Sequence, residues 1–463
     1  DTPAPGPLPD VEAGHHLHGL TSSLPSPGGG YLARIVYPYH RVMRSAGGQQ
    51  PNGGPRRDPT GGKRALVLCG GGITGLAYEI GALRALDDLL VDLTVNDFDI
   101  FVGTSCGSIA GALLANGVSP SAMAMGLAGT NRDLRPPTQL ALYRPNVGEL
   151  ASRMLRLPGL LRQMAWELAR HPGRLGGLDF LGMLSPLLPT GIFDHGALSG
   201  YLHTIFSLPG LTDDFRELDA ELHVVACALD SDERVVFSRF HNAHVPVSRA
   251  AAASSALPVL FKPIRIDGVD YLDGGIKGNA SIDVAVEQGA SLIVVVNPIV
   301  PLDARAMNVP DVMRHNMGSR LSDLGLRAVY NQVLRGMLHD GLRDHIRTVR
   351  NRHPDVDILL IEPRPDDEKM FFHEIMSYSA RLMVLQHGYE SVSTGLYDTW
   401  GYLRRILPRH GVHITRRVLD RKPTEVPVEV STGVLQRLLR QTVLDRRPRR
   451  LDEEADEELR AIG

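Results

Sequence analysis

The sequence predicts an α/β fold, a mostly parallel sheet covered by helices. Three observations predict it. Two strand, glycine-loop, helix units follow one another between Ala65 and Ala115. A later run, Ser291 to Asn297, is apolar on both faces, as a strand inside a covered parallel sheet must be. The chain has 463 residues and is 43% hydrophobic, which is enough to bury a large core.

Taken in order, residues 1–62 are rich in Pro and Gly and read as an extended arm. Its one apolar patch, Tyr31 to Tyr39, suits packing on the body or on a second copy, so a homo-oligomer through the arm stays open. A catalytic body is expected over 63–300. Ala65 to Cys69 is a strand that stops at three glycines, and Gly75 to Leu90 is a helix with Leu76, Ile80, Leu83 and Leu86 on one face. Phe98 to Val102 is the next strand, and Ser108 to Ala115 the next helix, closed by Asn116-Gly117. Residues 118–192 interrupt this rhythm and read as a helical insertion or lid. Glu221 to Cys227 and Arg234 to Ser238 form a hairpin around Asp230-Ser231-Asp232-Glu233. The region 301–463 is expected to be mainly helical, with Leu321, Leu324, Ala328, Val329, Leu334 and Met337 at helical spacing and one strand near 357–362. From Arg446 the charge reverses from basic to acidic, as in a solvated helix or a frayed end.

Lys+Arg 49 against Asp+Glu 52 leaves a net charge of −3, which argues against nucleic acid as a partner. No stretch approaches the roughly 18 uninterrupted apolar residues that cross a bilayer. The three cysteines, Cys69, Cys106 and Cys227, cannot form a complete disulfide framework and favour a reduced compartment. A cytoplasmic or peripheral-membrane location is therefore favoured; secretion stays open, since a processed leader would be consistent with a chain starting at Asp1.

Three motifs carry chemistry. Gly103-Thr104-Ser105-Cys106-Gly107 is a GxSxG between a predicted strand and a predicted helix. That context suits a nucleophile on a tight turn whose flanking positions must be small, although an ordinary N-cap Ser gives the same pattern. Gly70-Gly71-Gly72-Ile73-Thr74-Gly75 offers peptide N–H groups to an oxyanion or a phosphate. It also matches GxGxxG, but the acid a dinucleotide site needs would be Asp92 or Asp97, in a loop rather than at a strand end. Tyr271-Leu272-Asp273-Gly274-Gly275 places an Asp at the end of a short strand, while the nearby Asp267-Gly268 fits a two-residue hairpin loop.

In this order the three motifs, with the stretch Ala253 to Gly275, resemble the patatin-like phospholipases between Lys63 and Asn297, outside the insertion. The resemblance implies a three-layer α/β/α patatin-like fold and a Ser-Asp dyad that needs neither histidine nor cofactor. It makes Ser105 the nucleophile and Asp273 its base, with Gly70, Gly71 and Gly72 forming the oxyanion loop and the Cys106 N–H adding a donor. The substrate it implies is a phospholipid or other acyl-ester lipid, cleaved by a phospholipase A or lysophospholipase reaction. Two positions depart from the family: Thr74 stands where Arg or Lys is usual, and Cys106 where Ala is common.

The rivals are a serine esterase with a Ser-His-Asp triad and a catalytically silent lipid-binding protein. His315, His339, His345, His353, His373 and His387 follow Asp273, mostly in helix-like, Arg-rich segments that suit surface residues. No His/Cys spacing suggests a metal. In the insertion Leu160, Leu161, Met164 and Leu168 share a helical face among Arg153, Arg156, Arg162, Arg170 and Arg174. Two readings fit: a lid packed on the core, which the periodicity favours, or a basic amphipathic helix on an anionic membrane.

Overall fold

The structure, a computed structural model, describes residues 61–170, 185–303, 320–367, 370 and 375–416. The arm, the Tyr31 to Tyr39 patch and the charged tail lie outside the described residues.

In chain order the elements are β1 (Lys63–Leu68), α1 (Gly72–Leu89), β2 (Leu90–Val91), β3 (Ile100–Thr104), α2 (Cys106–Ala115), α3 (Pro120–Ala128), α4 (Gln139–Leu142), α5 (Val147–Met154) and α6 (Leu157–Arg170). There follow β4 (Gly191–Phe193), α7 (Gly196–Phe206), β5 (Glu221–Ala228), β6 (Glu233–Phe237), α8 (Val247–Ser254), β7 (Val259–Phe261), β8 (Ile264–Ile266), β9 (Val269–Asp273), α9 (Ile282–Glu287) and β10 (Ala290–Val296). The last are α10 (Leu326–Arg352), β11 (Asp357–Ile361), α11 (Arg381–Asp398), α12 (Trp400–Ile406) and β12 (His413–Ile414).

The central sheet runs β11-β10-β1-β3-β5-β9-β8, with β6 also paired to β5. From β11 to β5 every pairing is parallel; β6, β8 and β9 are antiparallel. The strand expected near 357–362 is β11, so residues beyond 300 form one edge of the same sheet. Strand alternation explains the layers. Leu66 and Leu68 of β1 face a core shared with α1, α2 and α11. Ala65, Val67 and Cys69 face the opposite core, shared with Ile282 and Val284 of α9 and Leu342, Ile346 and Val349 of α10. The fold is three-layered, helices over both faces of a mostly parallel sheet.

Of the boundaries that differ from expectation, two matter for the site. The first helix begins at Gly72 rather than Gly75, so the third glycine opens the helix with φ +62°. The strand expected to end at Val102 runs two residues further, because its ladders pair Gly103 with Leu68 of β1 and Thr104 with Val225 of β5. That carries the strand straight to Ser105.

The insertion is helical in α3 to α6. No residue of α5 is buried, and Leu155, Leu161 and Trp166 are exposed. Arg170 stacks over the Trp166 ring at 3.7 Å. Arg174 and the side chains of Met164 and Leu168 lie outside what the structure describes. The stripe therefore fits either reading: an apolar face at helical spacing looks the same whether it meets protein or lipid.

Candidate active site

Ser105 sits between β3 and α2 with φ 55° and ψ −127°, a backbone conformation that L side chains rarely adopt. Its neighbours must be glycine because the turn brings other backbone too close. A Cβ at Gly103 would lie 2.4 Å from Ser108 Cα, and one at Gly107 would lie 2.3 Å from the Leu68 carbonyl oxygen. A second serine holds the turn. The Ser105 N–H donates to Ser254 Oγ at 2.9 Å, and Ser254 Oγ donates to the Val225 carbonyl at 2.6 Å, tying the elbow to β5. Ser254, at the end of α8, lies in the stretch Ala253 to Gly275, but nothing in its sequence setting assigns it this role.

Asp273 ends β9, where it pairs with Ala226 of β5. Asp267 and Gly268 form the loop between β8 and β9, both at positive φ as a tight hairpin turn requires. Asp273 is left to the interior: the residue is 3% exposed, its carboxylate accepts the Gly275 N–H at 2.8 Å, and the Ser105 hydroxyl is near enough to stabilise its charge. Burial raises its pKa from the ordinary 3.8 to about 6, against the lowering effect of the Ser105 hydroxyl and the Gly275 N–H.

The glycine loop divides its roles. Gly71 and Gly72 open α1, and Cys106 opens α2, where first-turn N–H groups have no acceptor within the helix. Gly70 differs. Grouped with the oxyanion donors on sequence, it gives its N–H to Asn279 Oδ1 at 2.9 Å, so it is a loop anchor. The N–H of Thr74, which replaces the usual basic residue, donates to the Ile375 carbonyl. The Cys106 thiol turns away from the elbow toward the Cys69 carbonyl and Glu79, and burial pushes its pKa well up. Of the two acids named for the dinucleotide alternative, Asp97 caps its own turn through Thr94 at 2.8 Å.

Ser105, Asp273, Gly70, Gly71, Gly72 and Cys106 all line one cavity of about 750 Å³. Its wall is largely apolar, with Ile80, Leu113, Met123 and Leu198 among the lining side chains. At its mouth Val259, Ile276 and Tyr330 line the cavity and are also exposed to solvent, at 74%, 47% and 66%.

The histidines downstream of Asp273 go elsewhere: His345 faces Asp283, His339 faces Glu362 and His387 faces Asp367. His315 and His373 lie outside the described residues. Among the described residues the cavity's histidine is His195, which the search beyond Asp273 passed over. It is buried against Phe261 with neither ring nitrogen hydrogen-bonded, and burial lowers its pKa to about 4. Among the described residues no three His, Cys, Asp or Glu side chains converge as a metal site, and no helix is long and apolar enough to cross a membrane.

The chain is 25% identical over 224 residues to a probable lipid hydrolase, 463L, of invertebrate iridescent virus 6; the match covers 48% of this chain and 63% of that relative, less than two thirds of its length. Among solved structures, VipD of Legionella pneumophila aligns at 16% identity and a TM-score of 0.29, covering 76% of this chain and 82% of that one. The type III effector ExoU, known from Pseudomonas aeruginosa, aligns at 14% identity and a TM-score of 0.32, covering 73% and 53%. At those scores the overlays add nothing to the architecture read from the sheet. The model of the patatin-like phospholipase family matches residues 66–286, which contain the elbow, the glycine loop and Asp273. The chain therefore carries a domain of the patatin-like phospholipase family over residues 66–286.

Proposed function

We propose that the protein hydrolyses carboxylic esters of lipids, phospholipids or lysophospholipids, through a Ser105-Asp273 dyad and an acyl-enzyme. One observation carries the reading: Ser105 and the buried Asp273 line the same apolar cavity, as do Gly71, Gly72 and Cys106 at the N-termini of two helices. Asp273 takes the hydroxyl proton as Ser105 Oγ bonds to the ester carbonyl carbon. The N–H groups of Gly71, Gly72 and Cys106 hold the resulting oxyanion. The C–O bond to the alcohol then breaks, and the leaving oxygen takes the proton back from Asp273. Water attacks the acyl-enzyme with Asp273 again accepting a proton, which frees the fatty acid and restores Ser105.

A carboxylate at its ordinary pKa is a weak base for a hydroxyl. Burial corrects that in part, since a value near 6 leaves Asp273 ionised at neutral pH yet more basic than an exposed aspartate. An acyl chain fits the cavity because its wall is apolar, and the exposed apolar rim suits a mouth that opens against lipid. The test is mass spectrometry of lipids incubated with wild type, Ser105→Ala and Asp273→Asn, together with fluorophosphonate labelling. Wild type should release fatty acid and take the label on Ser105, and both variants should lose turnover by at least about a thousandfold. Release that persists in Ser105→Ala would sink the dyad.

A further inference from the structure

The glycine loop is anchored by a residue that none of the three motifs contains. Asn279 lies six residues after Asp273, beyond a turn that Gly278 makes at φ +143°, and it is 2% exposed. Its Oδ1 accepts the Gly70 N–H at 2.9 Å, and its Nδ2 donates to Asn297 Oδ1 at 3.0 Å. The space around it is shared with the dyad. A Cβ at Gly70 would stand 3.0 Å from both Asn279 Oδ1 and Ser105 Cβ; a Cβ at Gly275 would stand 3.1 Å from Asp273 Oδ1 and 4.0 Å from Asn279 Oδ1.

Asn297 cannot turn its amide to suit another partner. Its Oδ1 also accepts the Ile299 N–H at 3.1 Å, and its Nδ2 donates to the Ile299 carbonyl at 2.9 Å and to Glu362 at 3.3 Å. Position 279 therefore needs an acceptor toward Gly70 and a donor toward Asn297 on one short side chain. Asn meets that demand, and protonated Asp meets it too. Ionised Asp does not, because it offers only acceptors.

We propose that Asn279 is a positioning residue for the oxyanion loop. By fixing Gly70 against β10 it sets where the next two N–H groups, those of Gly71 and Gly72, stand relative to Ser105 Oγ. This rests on the hydrolase reading above and deepens it. Oxyanion donors act only where their distance to the developing charge is right, so loosening the anchor reduces kcat and leaves KM nearly unchanged.

The experiment uses the full chain and a soluble short-chain p-nitrophenyl ester, with wild type, Ser105→Ala, Asn279→Ala and Asn279→Asp compared between pH 5.5 and 8. Asn279→Ala should lose roughly a hundredfold in kcat with KM within about threefold, and its labelling by a fluorophosphonate should slow in parallel. For Asn279→Asp, kcat relative to wild type should rise at least about fivefold from pH 8 to pH 5.5, as protonation restores the donor toward Asn297. Wild-type kcat in Asn279→Ala, or a ratio for Asn279→Asp that ignores pH, overturns the positioning role. Ser105→Ala separates the two levels: if it keeps wild-type turnover, the hydrolase reading fails and this role falls with it; if it is dead while Asn279→Ala is unimpaired, only the positioning role fails.

Discussion

Ser105 and Asp273 line one cavity at 7% and 3% exposure, and the Asp273 carboxylate accepts the Gly275 N–H at 2.8 Å. Among the described residues no cation compensates the charge. Burial therefore raises the pKa to about 6, and the ionised form needed for proton transfer is the one the fold disfavours.

Activity and stability should then move in opposite directions with pH. kcat/KM is expected to climb through a midpoint near 6 and stay level above it, measured on a soluble ester. The folded protein holds the Asp273 proton up to about 6 while the unfolded chain releases it near 3.8, so this group lowers stability as pH rises across that window. Asp273→Asn removes the charge and should be more stable than wild type at pH 8 by up to about 3 kcal/mol, the equivalent of the raised pKa. Urea unfolding at pH 8 and pH 4 checks the sign: the advantage must shrink at pH 4. A variant that is less stable at pH 8 contradicts the desolvation account.

Ser105 itself holds strain. At φ 55° and ψ −127° any L residue is unfavourable, whereas glycine is not. Ser105→Gly should gain about 1–3 kcal/mol over Ser105→Ala, both being inactive. Equal midpoints for the two variants in thermal unfolding would show the elbow to be unstrained.

Ser254 supports that elbow from behind. Removing its hydroxyl leaves the Ser105 N–H and the Val225 carbonyl without their partners in a buried place. Ser254→Ala is expected to cost about 1–3 kcal/mol in stability and to reduce kcat more than KM. A variant with wild-type unfolding and kinetics would mean that water or another group replaces the hydroxyl at no cost.

What could be read from the chain alone follows from what leaves a pattern. Strand, glycine and helix alternate visibly from Ala65 to Ala115, and Ser105, Gly71, Gly72 and Asp273 stand in motifs whose glycines record close backbone approach. Asn279, Asn297 and Ser254 leave no such trace, because one polar residue satisfying a remote backbone group has no spacing to recognise. For the same reason Gly70 was grouped with the oxyanion donors: three glycines in a row look alike until the acceptor from position 279 arrives. The stripe on α6 was ambiguous in principle, since the sequence holds the period of an apolar face but not what covers it.

Cys106 offers a direct check on which atom at the elbow reacts. Its thiol is buried, its pKa is raised by that burial and by Glu79, and only its backbone N–H is placed to matter. Cys106→Ala keeps that N–H and should retain activity within about threefold, and iodoacetamide should leave the native protein unlabelled at neutral pH. Loss of turnover in Cys106→Ala would transfer a chemical role to the sulfur.

The cavity rim predicts how substrate physical state affects rate. Val259 is 74% exposed despite being β-branched and held at φ 70°, and Met337, 71% exposed, continues the apolar face of α10 beyond Tyr330. Exposed apolar groups around an apolar mouth favour contact with a lipid surface by the same area term that drives burial, about 25 cal/mol per Å². Val259→Asp with Met337→Asp should therefore reduce hydrolysis of phospholipid vesicles at least about tenfold while changing the rate on a soluble ester by less than about twofold, as neither residue touches the dyad. Adding the Trp166 signal separates two surfaces: a fluorescence shift on vesicles that survives the double variant would place α6 at the membrane as well, whereas its loss would make the rim the sole contact. Equal losses on vesicles and on the soluble ester would mean that the rim shapes the cavity rather than meeting lipid.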